Sequence, residues 1–126
     1  MKKIVVIDDD IKCNQMICRI LNNEGYEVSA AFNGAEGLKL CRQERPDLVI
    51  TDLYMPEKDG LETIMELRRS DEKIRILAIS GGSLNINIDE MLNTAEIFGA
   101  DAIMAKPFHL DTFLHRVKGL LDEFSG

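Results

Sequence analysis

No apolar run in the chain approaches the roughly 20 residues needed to cross a bilayer, and the basic start, Met1-Lys2-Lys3, lacks the apolar region of a signal peptide. From these two absences neither a helical membrane span nor a secretory leader is expected, and the expected location is the cytoplasm. Basic residues are also scarce: 15 Lys and Arg against 22 Asp and Glu leave a net charge of -7. Such a balance argues against binding nucleic acid through a broad basic surface and suits a partner with a basic patch. Cysteine is sparse. Cys13, Cys18 and Cys41 are odd in number and lack the C-x-x-C spacing of a redox or zinc site, so they read as small reduced core residues. Repeats, linkers and low-complexity tracts are missing too, and 126 residues suit one domain over 1–126.

What is present is a regular alternation. Ile4-Val5-Val6-Ile7 is a continuous β-branched run of the kind buried on both faces in a parallel sheet, and it stops at Asp8-Asp9-Asp10. Cys13, Ile17, Ile20 and Leu21 then recur at helical spacing, with Gly25 as a stop. Glu27 to Ala31 reads as a weak strand at an edge. Asn33 and Glu36 can cap a second helix that runs to about Gln43. Leu48 to Thr51 forms a third strand, and Leu61, Ile64 and Met65 mark one face of a helix beginning near Asp59. Ile76 to Ile79 is a fourth strand ending at Ser80. Gly81 to Asn87 reads as a loop, and Met91, Leu92, Ala95 and Phe98 mark a helix closed by Gly99. Ala102 to Ala105 is a fifth strand ending at Lys106-Pro107, and the last helix carries Phe113, Val117, Leu120, Leu121 and Phe124.

Five strands alternating with five helices imply a doubly wound α/β domain with right-handed crossovers. Ligands in such domains bind beyond the carboxyl ends of the strands, where the winding reverses. Four of those ends carry Asp8-Asp9, Asp52, Ser80 and Lys106. Two adjacent carboxylates and a third converging on them repel one another, which raises their pKa values or calls for a cation. Mg²⁺ suits such oxygen donors, and a lysine with a hydroxyl opposite would face an anion. The set reads as Mg²⁺-assisted phosphoryl transfer to an aspartate. Asp52 lies in the best-presented stretch, at the end of an apolar strand and before a loop with Pro56 and Gly60.

Ile4 to Asp10, Asp52-Leu53-Tyr54-Met55-Pro56 through Asp59-Gly60, Ile79-Ser80-Gly81, and Gly99-Ala100-Asp101 through Lys106-Pro107-Phe108 together resemble the ordered signature of response-regulator receiver domains. The resemblance covers essentially the whole chain. It implies a flavodoxin-like (CheY-like) five-stranded parallel sheet of order 2-1-3-4-5. By the same resemblance Asp52 accepts a phosphoryl group from a histidine kinase or phosphotransfer protein, Asp9, Asp52 and the main-chain carbonyl of Tyr54 ligate Mg²⁺, and Asp8 assists through water. Ser80 hydrogen-bonds the phosphoryl oxygens, Lys106 pairs with them, and the Lys106-Pro107 peptide is cis. A single-domain regulator of this kind, without an output domain, catalyses only its own phosphorylation and dephosphorylation. It signals by partner binding or onward transfer, with the helix 4, strand 5 and helix 5 face meeting the downstream protein.

Two departures from the pattern stand out. Ile103 replaces the aromatic residue that usually sits three before the lysine, and the segment from Ser80 to Lys106 is about one helical turn longer than usual. Blander roles also compete. Asp10 reads as a helix cap, Ser80 could satisfy a strand-end amide, and Lys106 could be a surface lysine. Tyr54 could be only a loop aromatic. His109 and His115 read as cap or surface residues, and Arg68-Arg69 as a solvated helix end. One rival function is an aspartate-nucleophile phosphohydrolase of the haloacid dehalogenase kind, using Asp8 of Asp8-Asp9-Asp10, which leaves Asp52 unexplained. A receiver that has lost phosphorylation and works as an interaction module is another.

Overall fold

The computed structural model describes residues 2–53, 60–71, 73–81 and 88–122, with the backbone alone over 88–92. Ten elements alternate along the chain: β1 (Lys3–Ile7), α1 (Ile11–Asn23), β2 (Glu27–Ala31), α2 (Gly34–Glu44), β3 (Leu48–Asp52), α3 (Gly60–Ser70), β4 (Arg75–Ser80), α4 (Ile88–Phe98), β5 (Ala102–Ala105) and α5 (Leu110–Leu120). All strand pairings are parallel and the order is β2-β1-β3-β4-β5. The doubly wound architecture and its strand order are those the sequence implies, with β2 at an edge.

Alternation along the central strands sends side chains to two cores. Val5, Ile7, Val49, Ile76 and Ala78 pack against Leu38 and Cys41 of α2, Ile64 and Leu67 of α3, and Ala95 of α4. Ile4, Val6, Leu48, Ile50, Leu77 and Ile79 face the other way, against Ile17 and Leu21 of α1 and Phe113 and Val117 of α5. Because both faces are covered, these strands are apolar at nearly every position rather than at every second one.

Register then sets the site. Ile7 pairs with Thr51, Asp52 with Ile79, and Ser80 with Ala105, so the carboxyl ends of β1, β3, β4 and β5 finish nearly level. The winding direction reverses between β1 and β3, which opens a crevice at that end of the sheet.

Local capping explains several helix boundaries. Asp10 is the N-cap of α1, and its side chain accepts the Cys13 amide at 3.1 Å. Asn33 and Glu36 together start α2: Glu36 N–H donates to Asn33 Oδ1, and the Glu36 carboxylate accepts from Asn33 Nδ2 and from the Phe32 amide just before the cap. Helix α2 runs one residue past Gln43, to Glu44, and ends at Arg45 in the left-handed conformation, φ 48° and ψ 65°. That conformation costs a residue bearing a Cβ about 1 kcal/mol.

Two readings of side-chain direction, those of Met65 and Arg68, need correction. Met65 is 40% exposed while Ile64 is fully buried, because adjacent helical residues point about 100° apart and Ile64 and Leu67, not Met65, pack into the core. At the end of α4, Ala95 is buried, but Phe98 is 38% exposed and does not join the core. Arg68 is not a solvated helix end. Its guanidinium donates to the carbonyls of Ile74 (2.7 Å) and Gly99 (2.7 and 3.2 Å) and to Asp101 Oδ2 (2.8 Å). Asp101 also accepts the Ile76 amide at 2.8 Å, so one ion pair ties the ends of α3 and α4 to the starts of β4 and β5.

Candidate phosphoacceptor site

The first group of the crevice is Asp8, one residue beyond β1 and 2% exposed. Its Oδ1 accepts the Asp10 amide at 2.9 Å, and its own N–H donates to the Ala31 carbonyl at 3.1 Å. Beneath it lies Asn14, fully buried, whose Nδ2 donates to the main-chain oxygens of Asp8 (3.1 Å) and Ala31 (2.9 Å). Asn14 therefore fixes the turn that aims Asp8. A buried amide within the apolar stripe of α1 is the one signal that could have revealed it.

Asp52 closes β3 and is 7% exposed. Its backbone is held on both sides: Thr51 Oγ1 donates to the Asp52 carbonyl at 3.1 Å, and Leu53 N–H to Ile79 O at 2.9 Å. Gly60 then returns the chain, donating its N–H to Leu53 O at 3.1 Å. A Cβ at residue 60 would lie 2.3 Å from the Asp52 carbonyl oxygen, so only glycine fits there.

Lys106 reaches in from the end of β5. Its Nζ stands 2.7 Å from Asp52 Oδ2 and 3.1 Å from Asp8 Oδ2. Room for its stem comes from Gly81, where a Cβ would fall 2.8 Å from both Cβ and Cδ of Lys106. The Lys106-Pro107 peptide is cis. Ser80, fully buried at the end of β4, accepts the Lys106 amide through its carbonyl at 2.9 Å and so anchors the lysine backbone.

Asp9, at the exposed rim, completes an acidic cluster: oxygens of Asp8, Asp9 and Asp52 lie within 4.8 Å of one another. Burial, reinforced by the Asp52 charge, raises the Asp8 pKa, while the Asp10 amide and Lys106 pull it down. Burial lowers the Lys106 pKa, but the hydrogen bond and charge of Asp52 and the charge of Asp8 carry it well above its ordinary value. Lys106 is thus a permanent cation between two carboxylates. Burial and the hydrogen bond and charge of Asp8 push the Cys13 thiol up to about 11, so it stays protonated. Three hard oxygen donors that repel one another fit Mg²⁺, which tolerates few carboxylates and completes its octahedron with water.

Asp8, Asp9, Asp52, Ser80 and Lys106, named from sequence, therefore sit on the same set of strand ends, and four of the five are joined by the contacts above. Tyr54 lies outside the described residues, as do Met55 to Asp59 and Gly82 to Asn87. Ile103 is half-buried against the α2–α3–α4 core. His109 is the N-cap of α5 and makes no side-chain cap hydrogen bond.

Comparison with known proteins agrees with the geometry. Residues 4–118 match the response regulator receiver domain family, and the chain belongs to it. It is 33% identical over 121 residues to sporulation initiation phosphotransferase F of Bacillus subtilis (strain 168), covering 95% of this chain and 94% of that protein. It is 35% identical over 119 residues to response regulator MprA of Mycolicibacterium vanbaalenii, where the chain spans about half of the relative's length, 50%. Among solved structures, a CheY-like response regulator receiver domain protein from Methanospirillum hungatei JF-1 superposes with a TM-score of 0.88 at 28% identity, over 98% of this chain and 95% of that one. Vibrio cholerae chemotaxis protein CheY4 superposes with a TM-score of 0.85 at 29% identity, over 95% and 98%. The chain is a receiver domain of the two-component and phosphorelay class. No helix among the described residues is long and apolar enough to cross a membrane.

Proposed function

We propose that Asp52 is the phosphoacceptor of this receiver and that the chain relays a signal by carrying a phosphoryl group there. The observation that supports this best is the Lys106 ammonium held 2.7 Å from Asp52 Oδ2. A cation placed at the acceptor oxygen is placed where charge develops as a phosphoryl group arrives.

In the proposed step a carboxylate oxygen of Asp52 attacks the phosphorus of a phosphohistidine on a kinase or phosphotransfer protein. A P–O bond forms, the P–N bond breaks, and the imidazole leaves with its electron pair. Lys106 swings its hydrogen bond from the carboxylate to a phosphoryl oxygen without changing protonation, consistent with its raised pKa. Ser80 donates its hydroxyl proton to another phosphoryl oxygen. Asp8 and Asp9, with Asp52, would hold Mg²⁺, which supplies neutralisation of the phosphoryl charge. The chain catalyses only this self-phosphorylation and the later hydrolysis, in which water attacks the phosphorus and inorganic phosphate and the Asp52 carboxylate are released. The face formed by α4, β5 and α5 passes the signal to a downstream protein.

Acetyl phosphate with Mg²⁺, followed by mass mapping of the modified aspartate, tests the assignment. Modification at Asp52, lost in Asp52→Asn, is the expected result. Modification at Asp8 would overturn it and favour the phosphohydrolase chemistry.

A further inference from the structure

We propose that the groove between the carboxyl-terminal ends of α2 and α3 is a binding site for a small amphipathic anion, with an apolar body and a phosphate, sulfate or carboxylate head. The cavity measures about 550 Å³, within the roughly 300–1,000 Å³ of small-molecule sites. It is separate from the acceptor crevice. Arg45 and Ile74 precede β3 and β4, whereas Asp52 and Ser80 end them, so a strand length of roughly 15 Å divides the two sites.

The walls match such a ligand in kind. Leu38, Cys41, Leu67 and Ile74 supply a buried apolar floor. The Cys41 thiol belongs to that floor as a neutral group, since burial pushes its pKa up to about 12. Arg42, Arg45 and Arg69 stand at the rim with two carboxylates, Glu66 and Asp71. The rim is therefore net positive on a chain whose net charge is -7. Asp71 Oδ1 is engaged by the Lys73 amide at 2.9 Å. Among the described residues none of the three arginines forms an ion pair or side-chain hydrogen bond.

Arg45 stands at the mouth of this groove in an uncommon backbone conformation. It holds the left-handed helix-ending position that glycine fills without strain, and it is one of two non-glycine residues at positive φ among those described. Its backbone amide caps α2 on the Cys41 carbonyl at 3.0 Å, a bond that glycine would make equally well. The side chain is what the strain retains, and within the described chain nothing uses it. A strained backbone carrying an unspent guanidinium at the mouth of an apolar cavity points to an anion from outside.

Fluorescence titration of the folded chain with 1-anilinonaphthalene-8-sulfonate, an apolar ring system with a sulfonate head, tests the site. Saturable binding at one site is expected, displaced by dodecyl phosphate and not by inorganic phosphate at the same concentration. Arg45→Gly should weaken binding about tenfold, the equivalent of one charge-assisted hydrogen bond, while the thermal midpoint holds or rises because strain is relieved. Arg42→Gln with Arg69→Gln should weaken it further, with Asp52 labelling by acetyl phosphate unchanged. Unsaturable binding, or equal affinity in the wild type and both variants, overturns the proposal. Equal displacement by inorganic phosphate overturns the role of the apolar floor.

Discussion

Lys106 Nζ lies 2.7 Å from Asp52 Oδ2 and is the cation that keeps Asp52 and Asp8 from facing each other bare. Lys106→Met retains the stem over Gly81 and removes the charge. In metal-free buffer the variant should lose about 2 kcal/mol of stability in urea denaturation, the cost of leaving buried charged groups unpaired. Added Mg²⁺ should restore part of it. Labelling by acetyl phosphate should fall about 100-fold, the usual effect of deleting one donor aimed at developing charge.

Gly60→Ala probes the support of the acceptor rather than its chemistry. The new Cβ would meet the Asp52 oxygen at 2.3 Å and the Leu53 Cα at 2.5 Å, both backbone atoms with no flexible side chain to yield. Overpacking of this kind costs about 2 kcal/mol, and the strand end must shift. Urea midpoint and Asp52 labelling should fall together.

Arg68→Met should separate stability from phosphoryl chemistry. It deletes the bonds to Ile74, Gly99 and Asp101 and leaves Asp101 with the Ile76 amide and the longer Arg75 contact at 3.6 Å. A loss of about 2 kcal/mol is expected, with Asp52 labelling within about twofold of wild type. A large drop in labelling would mean that the end of α4 is coupled to the acceptor.

The three thiols give a pH test. Burial raises the folded pKa of Cys41 to about 12 and that of Cys13 to about 11, and it raises that of Cys18, all from a reference of 9.0. The unfolded chain loses these protons first. Stability is therefore complete below the unfolded value and declines as pH rises from about 9 through the folded values. The urea midpoint should drop between pH 8.5 and about 10.5, less steeply in Cys41→Ala. At pH 8 iodoacetamide should modify the folded chain slowly and the urea-unfolded chain at all three positions.

Strand content and the placement of the strand-end residues were legible because they depend on local pattern. A β-branched run such as Ile4 to Ile7 states its own burial, and Asp52 or Lys106 directly after such a run has one place to go. Asp10 was legible as a cap for the same reason, since capping is a contact over three residues. Arg68 was not legible. Its partners Gly99 and Asp101 are 31 and 33 residues away, and nothing in Arg68-Arg69 tells which arginine turns inward. Asn14 was hidden likewise: its second carbonyl, that of Ala31, belongs to a strand 17 residues on. Met65 misled because an apolar residue at the border of a helical stripe is exposed or buried according to its neighbour helix, which spacing alone does not specify.

Asp8 and Lys106 are 98 residues apart in the chain and 3.1 Å apart in the fold. Neither strand end has its partner until β1, β3 and β5 are all in register, and β5 joins the sheet only through β4. The proposed acceptor site is therefore complete only in the assembled sheet. With Asp52 as the proposed acceptor, a nascent or half-unfolded chain presents it without its cation and should label far more slowly, so acceptor labelling is expected to report the fully folded fraction.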